Sequence, residues 1–369
     1  MILSNPLMVD PRVHKEAKTL VDAGHEVAVL VWDRHCEYKP HEIIDGIKVF
    51  RIHNEKLMKV LPNDIFRNPL WWREAYKKGL ELYRSGYKID VVHCHDLDTL
   101  QAGVWLKKRL GVKLIYDAHE NFAYMIRGKV PYPVFKLSSM MEKKLINFVD
   151  HIITVSPPLR DFLRSITDKP ITIVMNCKDL IYEDYIPPKN DMFTLVYIGV
   201  MIKERFFPEI IHLVGSLDGV RLIVGGKKEG MYWEVEKVAK QYKNVKFVGT
   251  VPSDKILPMT HTADAVLLII PPPSKYRQET LFNKQFEAMV CGRPIIVTKG
   301  TYAGKMTEEL KCGITVNYDK ESIKRGILLL RDNPKLCEEL GKNALKAAKE
   351  RYNWAIEKEK LLRVYREVA

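Results

Sequence analysis

The sequence predicts an α/β protein of two doubly wound, Rossmann-like parallel-sheet domains facing a cleft. At 369 residues the chain exceeds one ordinary hydrophobic core and suits two domains. Short β-rich apolar runs alternate with amphipathic helical stretches in both halves. The runs are continuous in Val, Ile and Leu rather than alternating, as in strands covered on both faces. A polar, proline-bearing stretch, "DLIYEDYIPPKNDM", separates the halves and gives domains at 1–187 and 188–351. A closing helix at about 352–369 is expected to pack back on the first domain.

The elements follow in order. "MILSN" is a short first strand, and Met1 reads as an internal methionine with a few strand residues upstream. Asp10-Pro11 fits an N-cap followed by proline at the first helical position, and Gly24 fits the stop. "EVAVLVW", "IKVFRI", "DVVHC", "VKLIYDA", "HIITVS" and "ITIVMN" complete the first set of strands, with Ser156-Pro157 repeating the cap-plus-proline device. "FTLVYIG", "VRLIVGG", "VKFVGT", "AVLLII", "PIIVT" and "GITVN" form the second set. "ERYNWAIEKEKLLRVYREVA" closes the chain as an amphipathic helix.

Composition narrows the function classes. No run of about 20 uncharged apolar residues predicts a transmembrane helix, and no basic leader predicts a secretory signal. The six cysteines are scattered without a C-x-x-C pair, which argues for a reducing compartment and against a zinc knuckle or disulfide frame. A cytoplasmic protein is expected, with peripheral contact at the inner membrane face. The formal charge of +13 points to anionic partners: nucleotides, phosphorylated substrates, nucleic acid or an anionic membrane. The excess is diffuse, +4 up to Pro187 and +9 after it, and no basic arm or aromatic RNA-binding signature favours nucleic acid.

The chemistry concentrates in "RQETLFNKQFEAMVCGRPIIVT", Arg277 to Thr298. "AVLLII" before it reads as a buried parallel strand, and "PPPSKYRQETL" as a loop at its carboxyl end. A helix then runs from about Asn283 to Cys291, stopped by Gly292. Ligands of open α/β sheets bind outside the carboxyl ends of the strands. With Glu279 on the loop and Glu287 one turn inside the helix, both can face one crevice beside Asn283 and Lys284. Free amides and the helix dipole attract phosphate there. Local physics leaves two readings open. One is a diphosphate site flanked by carboxylates that accept from sugar hydroxyls. The other is a helix with Phe286 and Met289 in the core and both glutamates solvated.

This stretch resembles the E-x7-E motif of retaining glycosyltransferases with the GT-B fold, specifically glycosyltransferase family 4 in its N-K-x-x-E variant. "DPRVHKEAKTLVDAGHEVAVLVW", "DVVHCHD", "LIYDAHE", "ITVS", "ITIVMN", "LIVGG", "VKFVGTVP" and "ADAVLLII" fall in that family's order and spacing over essentially the whole chain. The resemblance implies that Glu287 holds the ribose hydroxyls of a nucleotide, Glu279 the donor sugar hydroxyls, and Asn283 and Lys284 the diphosphate. It implies that His119 reaches the transferred sugar near its anomeric carbon. "YIGVMIKERF", containing Gly199, matches the loop that supplies an arginine and a lysine to the diphosphate. Here the arginine position is Val200 and the lysine position is Arg205, with Lys203 near enough to compensate. The usual glycine pair of the first loop is replaced by "SNPLMVDPRV". Arg12 then either reaches the phosphates or has a surface role on its capped helix.

"HCHDLD" carries a competing signal. On a strand His93 and His95 point the same way, as metal ligands would. The metallohydrolase pattern needs an aspartate where Leu97 stands, and Asp96 more simply caps the helix "LDTLQAGVWLKKRL", with Asp98 in its first turn. No metal site is expected. His95 is read as a cleft-lining donor contact and His93 as buried and satisfied, while a structural cap before "ENF" is the other reading of His119. "LMKVLPNDIFRNPLWWREAYKKGLELYRSGYK" and "NFAYMIRGKVPYPVFKLSSMMEKKLINF" mix aromatics with cations. Residues 122–149 hold five basic residues and one acidic one, Glu142. Such a surface suits either anionic lipid headgroups or core-facing aromatics with solvated lysines.

The resemblance gives a hexosyltransferase that moves a sugar with retention from a nucleotide-diphosphate sugar, UDP-sugar favoured, without a cofactor. The donor belongs to the C-terminal domain. The acceptor, a glycan or lipid-linked glycan, belongs to the N-terminal one. A sugar-nucleotide epimerase of the same fold, a non-catalytic partner subunit and a metallohydrolase are the alternatives.

Overall fold

A computed structural model describes residues 1–54, 61, 64–127, 130–273 and 282–368. Contacts divide the chain into two compact units, Met1–Met175 with Glu357–Ala369, and Asn176–Ile356. The divide falls ahead of the expected 187. The reason is local: Asn176 and Lys178 bond to Asn283 and Glu287, which ties the start of the linker to the second unit.

In the first unit the strands are β1 (Ile2–Leu3), β2 (Ala28–Asp33), β3 (His41–Ile44), β4 (Ile47–His53), β5 (Val91–His95), β6 (Lys113–Ala118), β7 (His151–Thr154) and β8 (Ile171–Ile173). Its helices are α1 (Pro11–Asp22), α2 (Asp64–Arg84), α3 (Leu97–Leu110), α4 (Phe122–Ile126), α5 (Tyr132–Leu145) and α6 (Pro157–Arg164). The sheet runs β3-β4-β2-β1-β5-β6-β7-β8 and is parallel except for β3, which pairs antiparallel with β4 at the edge. Sequence reading misses β3 because its "HEII" alternates exposed and half-buried positions and contains no continuous apolar run.

The steps from β4 to β5, β5 to β6 and β6 to β7 all cross the sheet in one direction. Right-handed crossovers therefore set α2, α3 and α5 side by side on one face. Trp32 of β2 stacks on Trp71 of α2 at 5.2 Å, one of the largest contacts in that core. The expected caps form. Asp10 accepts from the Val13 amide at 3.2 Å with Pro11 at the first helical position, and Ser156 accepts from Leu159 at 3.4 Å.

In the second unit the strands are β9 (Phe193–Ile198), β10 (Val220–Gly225), β11 (Val245–Phe247), β12 (Ala265–Leu268), β13 (Ile295–Thr298) and β14 (Gly313–Val316). Its helices are α7 (Glu209–Gly215), α8 (Tyr232–Ala239), α9 (Ser253–Thr262), α10 (Asn283–Val290), α11 (Tyr302–Leu310), α12 (Lys320–Asp332) and α13 (Pro334–Glu350). A last helix, α14 (Trp354–Val368), enters the first unit from Glu357 onward. The sheet order is β11-β10-β9-β12-β13-β14, all parallel. The chain winds outward from β9 through β10 and β11, then resumes at β12 on the other side. The β9–β12 boundary is thus the topological switch point, where a crevice opens at the carboxyl ends of the strands. Among the described residues no helix is long and apolar enough to cross a membrane.

Candidate active site

The switch point of the second unit collects Gly199, Arg205, Lys178, Lys284 and Glu287. Gly199 follows β9 with φ of +156°, and a Cβ there would lie 2.2 Å from Lys284 Nζ. Only glycine admits the lysine this close to the backbone. Next along the sheet, a Cβ on Gly226 would meet the Gly199 carbonyl oxygen at 2.1 Å, so the loops after β9 and β10 touch through paired glycines. Lys284, in the first turn of α10, is 9 % exposed and points its ammonium over the Tyr197 ring at 4.5 Å. Burial pushes its pKa down to about 8; Glu287 opposes this, while Arg205 and Lys178 add to it. The Arg205 guanidinium stands 4.6 Å over the Phe282 ring.

Glu287 is 6 % exposed and pairs with Lys178 at 3.4 Å. A buried, paired carboxylate rules out the solvated reading for this residue, although Phe286 and Met289 do lie in the core as that reading had it. Asn283 accepts from Asn176 at 2.8 Å, and among the described residues no side chain caps α10, which leaves the Asn283 and Lys284 amides for a ligand. Lys203 is exposed; its carbonyl accepts from the Tyr318 hydroxyl. Val200, at the expected arginine position, contributes its carbonyl as acceptor for the Tyr197 hydroxyl at 2.6 Å. Among the described residues, the cations gathered beside Glu287 are Lys284, Arg205 and Lys178. Glu279 lies outside the described residues. Lys178 escapes sequence reading because it sits in irregular chain after β8, where no periodicity singles it out.

The first unit holds a separate buried polar cluster around the carboxyl ends of β5 and β6. Arg12 is buried, contrary to a surface role on α1. Its Nη1 donates to the Val174 carbonyl at 3.0 Å, and its Nη2 lies 3.2 Å from both Asp117 oxygens and 2.9 Å from Glu16 Oε1. Both terminal nitrogens are engaged inside the unit, which corrects the expectation that Arg12 reaches a phosphate. His95 is also buried rather than cleft-lining. It stacks on His93 at 4.3 Å, so the two rings share a side of the strand as expected. Its Nδ1 sits 3.3 Å from His119 Nε2 and 3.6 Å from Asp117. His93 is buried and bonds to the Tyr365 hydroxyl of α14 at 2.8 Å.

His119 has one nitrogen 3.4 Å from Asp96 and the other 3.3 Å from Asp117. Burial alone would lower its pKa, but the two carboxylates more than offset that and raise it to about 10. Asp96 does not cap α3. Its side chain accepts instead from the His119 amide at 3.0 Å, and its backbone adopts φ of +62°. Asn121, not His119, caps α4. Burial pushes Asp96 up to about 7 and Glu16 up to about 8; burial also tends to raise Asp117, but Arg12 and His119 hold it well below the carboxylate range.

Glu16, His93, His95 and Asp117 bring ligand-type atoms within 4.8 Å of one another. By donor type the set suits a divalent cation. The Arg12 guanidinium already lies against both carboxylates, so a metal would have to compete with a fixed positive charge. The cluster is better described as an ion-paired core that holds His119.

Two family models match. Glycosyltransferase Family 4 covers residues 11–180, and Glycosyl transferases group 1 covers 184–347. An uncharacterised glycosyltransferase, MJ1069 of Methanocaldococcus jannaschii, is 24 % identical over 342 residues, covering 86 % of this chain and 84 % of its own. Sucrose-phosphate synthase from Thermosynechococcus elongatus aligns over 99 % of this chain and 98 % of its own with a TM-score of 0.76 at 16 % identity. Anabaena HepE in complex with UDP-glucose aligns over the same shares at 0.71 and 13 % identity. The solved structures establish a GT-B fold, and with the two domain matches the conclusion is direct: the chain belongs to the glycosyltransferases of family 4, a family 4 domain followed by a group 1 domain.

Proposed function

We propose that the chain is a retaining hexosyltransferase that uses a UDP-sugar and transfers the sugar to a glycan or lipid-linked glycan in the cytoplasm. The observation that carries the reading is the switch-point site of the second unit. A buried lysine with a lowered pKa, an arginine, a second lysine and an uncapped helix N-terminus converge there, beside a carboxylate that is not solvated. That set fits a diphosphate with an attached ribose. The UDP-glucose bound to HepE, a protein of the same fold, supports uridine as the base.

In this reading Lys284, Arg205 and the α10 amides meet the diphosphate, Glu287 accepts from the ribose hydroxyls, and Glu279 from the sugar. His119 contacts the transferred sugar. The bond from the anomeric carbon to the leaving phosphate oxygen breaks as the acceptor oxygen bonds on the same face. The acceptor proton passes to the departing diphosphate. Stabilising that charge is the largest contribution expected from the protein, and Lys284, Arg205 and the α10 amides supply it. They also weigh against a non-catalytic subunit despite Val200.

The test is a thermal-shift panel of UDP-, GDP- and ADP-sugars, with acceptor screening on the hits. Stabilisation by a UDP-sugar that is lost in Glu287→Ala supports the reading. Equal stabilisation of that variant, or no response to any sugar nucleotide, refutes it.

A further inference from the structure

The helical layer of the first unit carries an outward face that sugar transfer does not use. On α5, Tyr132, Leu137 and Met140 are 67, 64 and 58 % exposed. Lys136, Lys143 and Lys144 are exposed beside them. The helix has one carboxylate, Glu142, and it is buried, accepting from the Tyr116 hydroxyl at 2.8 Å. The outer side of α5 therefore has no negative charge and three large apolar groups in water. A helix that only covers a sheet turns its apolar residues inward.

The next helix continues the pattern. α3 ends in Lys107, Lys108 and Arg109, and Lys108 Nζ lies 4.0 Å over the ring of Phe148, just beyond α5. Between α3 and α2 is an open depression of about 480 Å³ lined by Arg73, Tyr76, Trp105, Lys108 and Arg109. It has three cations, two aromatics meeting edge-on at 5.9 Å, and no carboxylate. On α2 the exposed Phe66 and Leu70 lead, at spacings of four and three, into Arg73.

We propose that this face docks the protein on a membrane surface containing anionic phospholipid. Tyr132, Leu137 and Met140 enter the headgroup boundary, and the depression between α2 and α3 takes phosphate headgroups. An apolar stripe flanked by lysines is the pattern of interfacial helices, and Trp and Tyr favour the headgroup level. A polyanionic glycan would use the cations and leave Leu137 and Met140 in water. A second copy in a two-fold contact would bring like charges together.

The test is co-sedimentation of the full chain with phosphatidylcholine vesicles, with and without phosphatidylglycerol, at low and high salt. Binding is expected only to the anionic vesicles and weakens with salt. Lys136→Ala/Lys143→Ala/Lys144→Ala and Arg73→Ala/Lys108→Ala/Arg109→Ala should each weaken it by on the order of a hundredfold, since each cation near such a surface contributes about fivefold. Leu137→Ser/Met140→Ser should weaken it at every salt concentration. These side chains are exposed, and unchanged melting of the variants verifies the fold. The proposal is overturned by no binding at low salt, by equal binding to neutral vesicles, or by full binding of the Leu137→Ser/Met140→Ser variant, which would leave a plain polyanion patch. Vesicle binding is read without nucleotide or acceptor, so its failure would leave the transferase reading standing.

Discussion

Replacing Lys284 with methionine separates what this side chain does for the fold from what it does for the ligand. In the folded protein its pKa falls from 10.5 to about 8, chiefly through burial. At about 1.36 kcal/mol per pH unit, the charged form is disfavoured by roughly 3 kcal/mol. Below pH 8 the lysine is charged in both folded and unfolded chains, and that cost is present in full. Between pH 8 and 10.5 the folded protein releases the proton while the unfolded chain keeps it, so stability rises with pH. Lys284→Met, similar in length and uncharged, removes the cost. Urea denaturation should show the variant more stable than wild type at pH 7 by up to about 3 kcal/mol, with the gap closing by pH 10.5.

UDP binding should move the other way. A charge-assisted contact to the diphosphate contributes about 1.5–3 kcal/mol, so the variant should bind UDP roughly 10- to 150-fold more weakly at pH 7. Above pH 8 wild type must take up a proton on binding, and its affinity should fall by up to about tenfold per pH unit while that of the variant stays flat. Calorimetry in buffers of different ionisation enthalpy reads that proton directly. Unchanged UDP affinity in Lys284→Met, or the same pH dependence in both proteins, would refute the assignment of Lys284 to the diphosphate.

Other perturbations reach different parts of the structure. Arg12→Ala leaves Asp117 and Glu16 buried without their cation and should cost about 3–5 kcal/mol in a denaturant melt. Asp96→Asn removes one of two carboxylates from His119, whose pKa should drop by roughly 1–3 pH units in an NMR titration. Because that pKa is raised in the folded state, the stabilisation it brings is complete below about pH 6.5 and is lost as pH rises through about 10. Gly226→Ala puts a Cβ against the Gly199 carbonyl at a φ of +157°, and should lower the melting temperature and abolish UDP binding together. Glu287→Ala should lower kcat/KM by at least about 100-fold while the melting curve moves little, since among the described residues its ion pair is with the partly exposed Lys178.

Much of the fold was legible because buried parallel strands announce themselves as continuous apolar runs, and Asp10-Pro11 and Ser156-Pro157 are local signals with local causes. The edge strand β3 was not, because one half-exposed face leaves no such run. At the switch point, Asn283, Lys284 and Glu287 share one helix, so spacing alone brought them near each other. The cluster around His119 was illegible for the opposite reason. Its members come from α1, β5, β6 and α14, and only tertiary packing reveals that Arg12 turns inward or that the Asp96 carboxylate bonds to the His119 amide.

The central claim is sugar transfer with retention at the site of Lys284 and Glu287. Early-time proton NMR of UDP-sugar hydrolysis without acceptor tests it most directly, because water then takes the acceptor's place. An α-configured donor should release the α-anomer first, and Glu287→Ala should release almost none. First appearance of the β-anomer, or of an epimerised sugar nucleotide in place of free sugar, would contradict the account.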